Sequence, residues 1–440
     1  MSHFDLLVRG GVAVLPWTVA ECDVGVRHGR IVALGALSDA TADTVLDARH
    51  LHVLPGLIDP HVHFRDSGVP GTGDPEVETM ATGTRGAVLG GITCVLDMPN
   101  TTPPLTDVAA LAAKRAMVAR DALCDVGLYV GATRDNISDL ATLETAPDVC
   151  AIKVFAGSST GGLLIDDDLT LERVMRAGSR RIAYHSEDEA RLRQRRALFR
   201  VGEPYSRHAE WRDERCALLG TQRIVSLARL TRRPAHILHV STAEEFKWLA
   251  AHRTIATVEV LVNHLTQASD AYDRDGPLAV MNPPIRDARH RDAAWAAVAD
   301  GRVDTVGSDH APHPIAAKQR PWPDCAAGLT GVQTLLPLML DHVARGRLSL
   351  ARMVDLMAAG PAQVYALSEL GRLVVGARAN LTLVDLRARR MIEADWLASP
   401  CGWSPFVGTR VTGWPAATVV GGRIAMRDGA LGSQSVGTNS

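Results

Sequence analysis

Several things are scarce in this 440-residue chain. Positive charge is not in excess: 47 Lys plus Arg stand against 49 Asp plus Glu, a formal charge of −2. Nucleic-acid binders usually carry a basic surplus, so no nucleic-acid partner is expected. No two of the seven cysteines form a CxxC pair, and their number is odd. Neither a disulfide framework nor a zinc ribbon is therefore expected, and a reducing cytoplasm is the expected location. No run of about 18 apolar residues occurs, so no membrane contact through a spanning helix is expected. Asp5 and Arg9 break the N-terminal MSHFDLLVRGG, which argues against a signal peptide. Internal repeats and low-complexity linkers are missing too. Lysine is scarcest of all, with four residues (Lys114, Lys153, Lys247, Lys318) against 43 arginines. Where only a positive charge is needed this chain uses Arg. A Lys kept inside an apolar strand then calls for a chemical reason.

What is present describes a folded protein. Hydrophobic content is 46% and charged content 22%, close to the globular average, and the length suits two to three domains at about 150 residues each. Residues 4 to 54 alternate apolar and polar positions around Gly10-Gly11 and Gly29, the pattern of short hairpins. From Leu57 the texture changes. Near-continuous apolar runs at 57–64, 92–98, 124–131, 149–157, 181–187, 235–241, 254–261 and 303–309 alternate with Ala-rich helical stretches such as DVAALAAKRAMVARDAL. Eight such units over roughly 300 residues predict an α/β fold, a closed (β/α)8 TIM barrel. Hairpin texture returns after about residue 370. The expected organisation is a barrel over 55–369 and a small β-sandwich domain composed of 1–54 with 370–440. The tail GSQSVGTNS is expected to fray.

Barrel enzymes carry their reacting groups at the C-terminal ends of the strands. Those ends read His61-Val62-His63, Lys153, His185, His239 and Asp309. Strand alternation puts both imidazoles of HxH on one face. Four His and one carboxylate, without thiolate, suit zinc or a similar divalent ion. Taken singly, each His reads as a core residue and Asp309 as a helix cap; the joint pattern points to metal. Lys153, flanked by Ile152, Val154 and Phe155, would be costly to bury as a cation. It is expected to lose its proton and, by reacting with CO2, to become an anionic carbamate. Arg cannot do this. Two cations about 3.5–4 Å apart, bridged by N-carboxylated Lys153 and hydroxide, would activate water at neutral pH. Asp309 would then carry the proton to a leaving nitrogen. The Gly-rich GSSTGG lacks the Gly-Lys-Ser/Thr ending and is not a phosphate loop.

With those residues in view, the chain resembles the cyclic amidohydrolases of the amidohydrolase superfamily, and within them the dihydroorotases. The matching segments are PGLIDPHVHFRDSG, DMPNTTPP, IKVFAGSSTG, AYHSEDE, HILHVST, MNPPIR, GSDHAPH, GLTGVQTLLPL and CGWSPFVG. The resemblance implies a binuclear zinc site held by His61, His63, carboxylated Lys153, His185, His239 and Asp309, with Asp309 as general acid/base. It implies substrate contacts from Arg65, Asn100, Asn282, His313 and the backbone at Ala327-Gly328, beside His63, and an auxiliary role for Glu259. It also implies a homodimer.

The residues themselves agree on Arg65, whose planar guanidinium can hold a carboxylate by two parallel hydrogen bonds. Dihydroorotate carries a ring carboxylate; hydantoin and allantoin do not. The reaction expected is reversible hydrolysis of dihydroorotate to N-carbamoyl-L-aspartate in pyrimidine synthesis. The rivals are a hydantoinase, dihydropyrimidinase or allantoinase activity, and an inactive scaffold associated with aspartate transcarbamoylase. Three departures stand out. Val262-Asn263-His264 replaces the family's Pro-His-His. The loop PIAAKQRPWPDCAAG after His313 lacks an acidic look, which leaves its closure open. The charged segment 202–216 is expected to be a solvated face or an oligomer contact, and His313 to lie exposed.

Overall fold

The structure, a computed structural model, describes residues 3–66, 68, 77–159 and 162–432. The tail from 433 onward and part of the Gly-rich loop, residues 160 and 161, lie outside the described residues.

Eight parallel strands follow one another in sequence order around one sheet. They are β1 (Leu57–Val62), β2 (Ile92–Asp97), β3 (Asp125–Gly131), β4 (Val149–Phe155), β5 (Ile182–His185), β6 (Ala235–Ile237), β7 (Ala256–Leu261) and β8 (Thr305–Gly307). β1, β2, β4 and β5 are buried at every position. Burial on both faces is why they lack the polar alternation of a one-sided sheet. The last strand meets the first just past its end. His63 N donates to His310 O at 2.8 Å, and His310 N to His61 O at 3.3 Å. The ring thus closes at the rim that carries the HxH pair. Asp59 reinforces the closure from inside β1. Its Oδ1 accepts from Ser308 N at 3.0 Å and from His61 N at 3.2 Å, and its Oδ2 takes the Ser308 hydroxyl at 2.5 Å.

The terminal segments form two further sheets. A four-stranded sheet holds His3–Arg9, Asp23–Arg27, Arg30–Gly35 and Thr41–Asp47. A seven-stranded sheet joins Val12–Leu15, Thr18–Glu21 and His52–Pro55 to the C-terminal strands Leu381–Met391, Arg410–Val420, Arg423–Arg427 and Ala430–Leu431. Leu6, Val8, Val24 and Ile31 share one buried cluster with Leu381, Leu383 and Val419, so the N- and C-terminal strands enclose a common core. His52–Pro55 pairs with Leu381–Met391 and runs through Gly56 into β1. A Cβ at Gly56 would lie 2.4 Å from Thr93 Oγ1 and 2.5 Å from Asn380 Cβ; only glycine lets the chain pass from sheet to barrel there. Among the described residues no helix is long and apolar enough to cross a membrane.

Candidate active site

The six side chains picked out at the strand ends are all buried; five of them gather in two touching groups, and the Lys153 Nζ lies 4.6 Å from the centre of the Phe155 ring. In the first, His63 Nε2 lies 3.2 Å from His61 Nε2, and Asp309 Oδ1 lies 3.1 Å from His63 Nε2 and 3.2 Å from His61 Nε2. In the second, His185 Nδ1 lies 3.0 Å from His239 Nε2. The His61 and His239 rings, 5.6 Å apart between centroids, join the groups. His63, His239 and Asp309 stand just beyond β1, β6 and β8. His239 and Asp309 have positive φ, 39° and 48°, which side-chain-bearing residues rarely adopt and which costs roughly 1–2 kcal/mol each. This local strain turns the chain where its donor atoms meet.

Each of three histidines is tied at one nitrogen, which leaves the other facing the cluster. His61 Nδ1 donates to Glu259 Oε1 at 2.8 Å, His63 Nδ1 to Asn100 Oδ1 at 2.6 Å, and His185 Nε2 to Glu187 Oε2 at 2.9 Å. Acceptor-only oxygens fix the tautomer, and the opposite nitrogen keeps its lone pair. Burial lowers the pKa of His63 to about 3 and pulls His185 and His239 down as well, so these imidazoles are neutral. Burial also lowers Lys153 to about 7, with Asp309 and Glu259 opposing the shift. Its amine is then substantially unprotonated near neutrality, as reaction with CO2 requires.

These donors fit a divalent cation. Ligand atoms ~2.0–2.1 Å from a tetrahedral ion lie roughly 3.3–3.4 Å from one another, and the His61–His63–Asp309 triangle has edges of 3.1–3.2 Å. Without a cation, a cluster of lone pairs facing each other inside the protein would be an unexplained cost.

The residues expected to hold substrate form a second chain of contacts. Arg65 Nη2 approaches His313 Nε2 at 3.5 Å, and that nitrogen donates to Ala327 O at 3.2 Å. His313 is half-buried rather than exposed. Burial, then Arg65, lowers its pKa to about 3, so it is neutral. Gly328 has φ 152°, and a Cβ there would meet Ala311 O at 2.4 Å. Its N–H is engaged by Val280 O at 3.0 Å, so not every peptide group of the Ala327-Gly328 turn is available to a ligand. Asn282 Oδ1 accepts from His208 Nε2 at 2.9 Å.

That last contact limits the solvated reading of 202–216 to part of the segment. Glu203, Arg207 and Glu210 pair with one another at the surface, whereas two of the segment's polar side chains turn inward. His208 is 3% and Arg212 2% exposed. Arg212 Nε reaches Glu187 Oε1 at 3.2 Å and Oε2 at 3.1 Å. Burial works to raise the Glu187 carboxyl, but Arg212 and His185 outweigh it and lower it. The sequence reading did not find Asp59, Glu187, His208 or Arg212, and it found for Asn100 a different partner. Asp59 and Glu187 showed only as charged residues in apolar runs, and His208 and Arg212, within a charged stretch, gave no such sign. Glu259, expected to be auxiliary, orients His61. His264 Nε2 lies 3.2 Å from Pro283 O, a packing role beside the MNPPIR segment.

Known proteins give this arrangement a context. Residues 52–425 match the Amidohydrolase family. A dihydroorotase of Halobacterium salinarum is 37% identical over 402 residues, spanning 91% of this chain and 92% of the relative. An allantoinase of Solibacter usitatus is 34% identical over 437 residues, 95% of this chain and 93% of the relative. Among solved structures, L-hydantoinase (dihydropyrimidinase) from Arthrobacter aurescens matches with a TM-score of 0.92 at 27% identity, covering 98% of each chain.

Proposed function

The chain belongs to the amidohydrolase family, and on that premise we propose that it is a dihydroorotase, interconverting (S)-dihydroorotate and N-carbamoyl-L-aspartate. Several relatives bearing that name support the reading. The observation that carries it is the Arg65–His313 pair, 3.5 Å apart, on the same rim as the His61–His63–Asp309 cluster. A cation presented beside the hydrolytic centre suits a ring that bears a carboxylate.

Two divalent cations, zinc in our assignment, would be held by His61, His63, Asp309, His185, His239 and the carbamate of Lys153. When bound, such a pair supplies a nucleophilic hydroxide near neutral pH and polarises the scissile carbonyl. The protein's own residues do the rest. Arg65 binds the substrate carboxylate, and Asn282 and the Ala327-Gly328 turn orient the ring. Asp309 takes the proton of the attacking water on its carboxylate as the new C–O bond forms. It then passes that proton to the ring nitrogen as the C–N bond breaks. In the closing direction the substrate nitrogen attacks, and Asp309 protonates the departing oxygen.

The test is a substrate panel with purified, metal-loaded protein: dihydroorotate, hydantoin, dihydrouracil and allantoin. Dihydroorotate is expected to be turned over best. Arg65→Ala is expected to lose roughly 10- to 150-fold in kcat/KM on dihydroorotate, the worth of a hydrogen bond to charge, and little on a carboxylate-free ring. Preferential turnover of allantoin would transfer the assignment to an allantoinase. Loaded protein inert in both directions would favour a scaffold.

A further inference from the structure

Three of the four lysines are buried, at 0–1% exposure, in a chain that otherwise uses arginine. Lys153 is accounted for above. Lys318 is not. It ends the short helix Ile315–Lys318, in the loop whose departure from the family pattern left its closure in question. Its Nζ donates to Val280 O at 2.8 Å, Ala326 O at 2.9 Å and Gly328 O at 3.0 Å. An ammonium has three hydrogens, and all three are used. Nζ also sits 5.4 Å from the centre of the Trp403 ring, whose Nε1 donates to His313 O at 2.8 Å.

We infer that Lys318 is a positioning residue for substrate recognition, a buried three-way clamp that holds the 280–282 segment against the 326–328 turn. Val280 lies two residues before Asn282. Ala326 and Gly328 flank Ala327, whose carbonyl is taken by His313. One ammonium therefore fixes the relative place of Asn282, His313 and the Ala327-Gly328 backbone. A compact tetrahedral donor meets three carbonyls converging from different directions; a planar guanidinium does not. That difference gives a reason for lysine here in an arginine-rich chain. The inference rests on the substrate contacts assigned under the proposed function.

The experiment compares wild type, Lys318→Met and Lys318→Arg by steady-state kinetics on dihydroorotate. Metal content and hydrogen–deuterium exchange are measured on the same samples. For Lys318→Met we expect KM to rise roughly tenfold or more with kcat changed less than about threefold. Faster exchange should be confined to peptides covering 278–284 and 325–330, and metal content should match wild type. Lys318→Arg, which keeps the charge, should recover part of the KM. Unchanged KM in a folded, metal-loaded Lys318→Met protein would overturn the clamp. So would a loss spread evenly over exchange, kcat and metal content in both variants, since that marks a purely structural residue. Failure of wild type itself to turn over dihydroorotate would instead reject the dihydroorotase reading, and the exchange measurement would still judge the clamp. If Lys318→Met does not fold, Lys318→Arg decides: KM and local exchange both unchanged from wild type would overturn the inference.

Discussion

His208 and Asn282, 74 residues apart in sequence, share a hydrogen bond of 2.9 Å. The other ring nitrogen of His208 accepts from Trp322 Nε1 at 3.1 Å. An imidazole that donates on one side and accepts on the other must be neutral, with its proton on Nε2. Through this ring the charged segment 202–216 reaches the residue expected to touch substrate.

A pH dependence follows from that ring. Burial, then Arg212, lowers the His208 pKa from 6.5 to about 3. Between those values the unfolded chain binds a proton that the folded chain does not, so acid favours unfolding. The stabilisation is complete above pH 6.5 and is lost as pH falls toward 3. Buried His264 and half-buried His313, lowered to about 4 and about 3, add to the same slope. Thermal melts from pH 7 to 4 should show a falling Tm, and His208→Phe should flatten part of the fall. A Tm independent of pH across that range would contradict the assignment of neutral histidines.

Glu259 bonds His61 at Nδ1 and also accepts from His239 N at 3.2 Å. It thus orients members of both histidine groups. Glu259→Ala should weaken metal binding roughly 10- to 100-fold, as loss of a ligand's hydrogen-bond partner does. Competition with a chromogenic chelator reads this without any activity assay. Affinity equal to wild type would leave Glu259 with no part in holding the centre.

Asp309 is assigned both metal binding and proton transfer. Asp309→Asn keeps the shape and removes the base. Turnover should drop roughly 100- to 10,000-fold, the range for general acid–base groups. Bound metal, measured by elemental analysis, should persist in part through the histidines and Lys153. Near-normal turnover in Asp309→Asn would place the proton shuttle elsewhere.

Lys114 is the third buried lysine. It pairs with Asp97 Oδ2 at 2.7 Å and donates to Asp66 O. Asp97 Oδ1 accepts from Phe64 N at 2.9 Å. The pair therefore grips the backbone on both sides of Arg65. Lys114→Met strands a buried carboxylate and should cost about 3–5 kcal/mol of stability. Asp97→Leu combined with Lys114→Met should recover much of that loss in denaturant titrations. The double variant is also expected to keep a raised KM, because the anchor of Arg65 is gone.

Much of the site was legible before any coordinates. HxH on a strand, Lys153 inside CAIKVFAG and the strand-end histidines follow from apolar runs and their ends, which are local properties. Strand order was legible too, because βαβ units place consecutive strands side by side. The supporting partners were not. Asp59, Glu187 and Arg212 act across barrel strands or from the 202–216 segment, and although Glu259 was expected to play an auxiliary part, no local spacing links it to His61, 198 residues away.

Sequence by itself determined which groups this protein brings to its rim, because residue type and strand periodicity are written locally. Tertiary structure alone decided how those groups are held: which nitrogen of each histidine faces inward, which charges are neutralised by burial, and which carbonyls surround Lys318. The physical reason is that hydrogen bonds and desolvation depend on distances of a few ångströms between segments that the chain separates by tens to hundreds of residues.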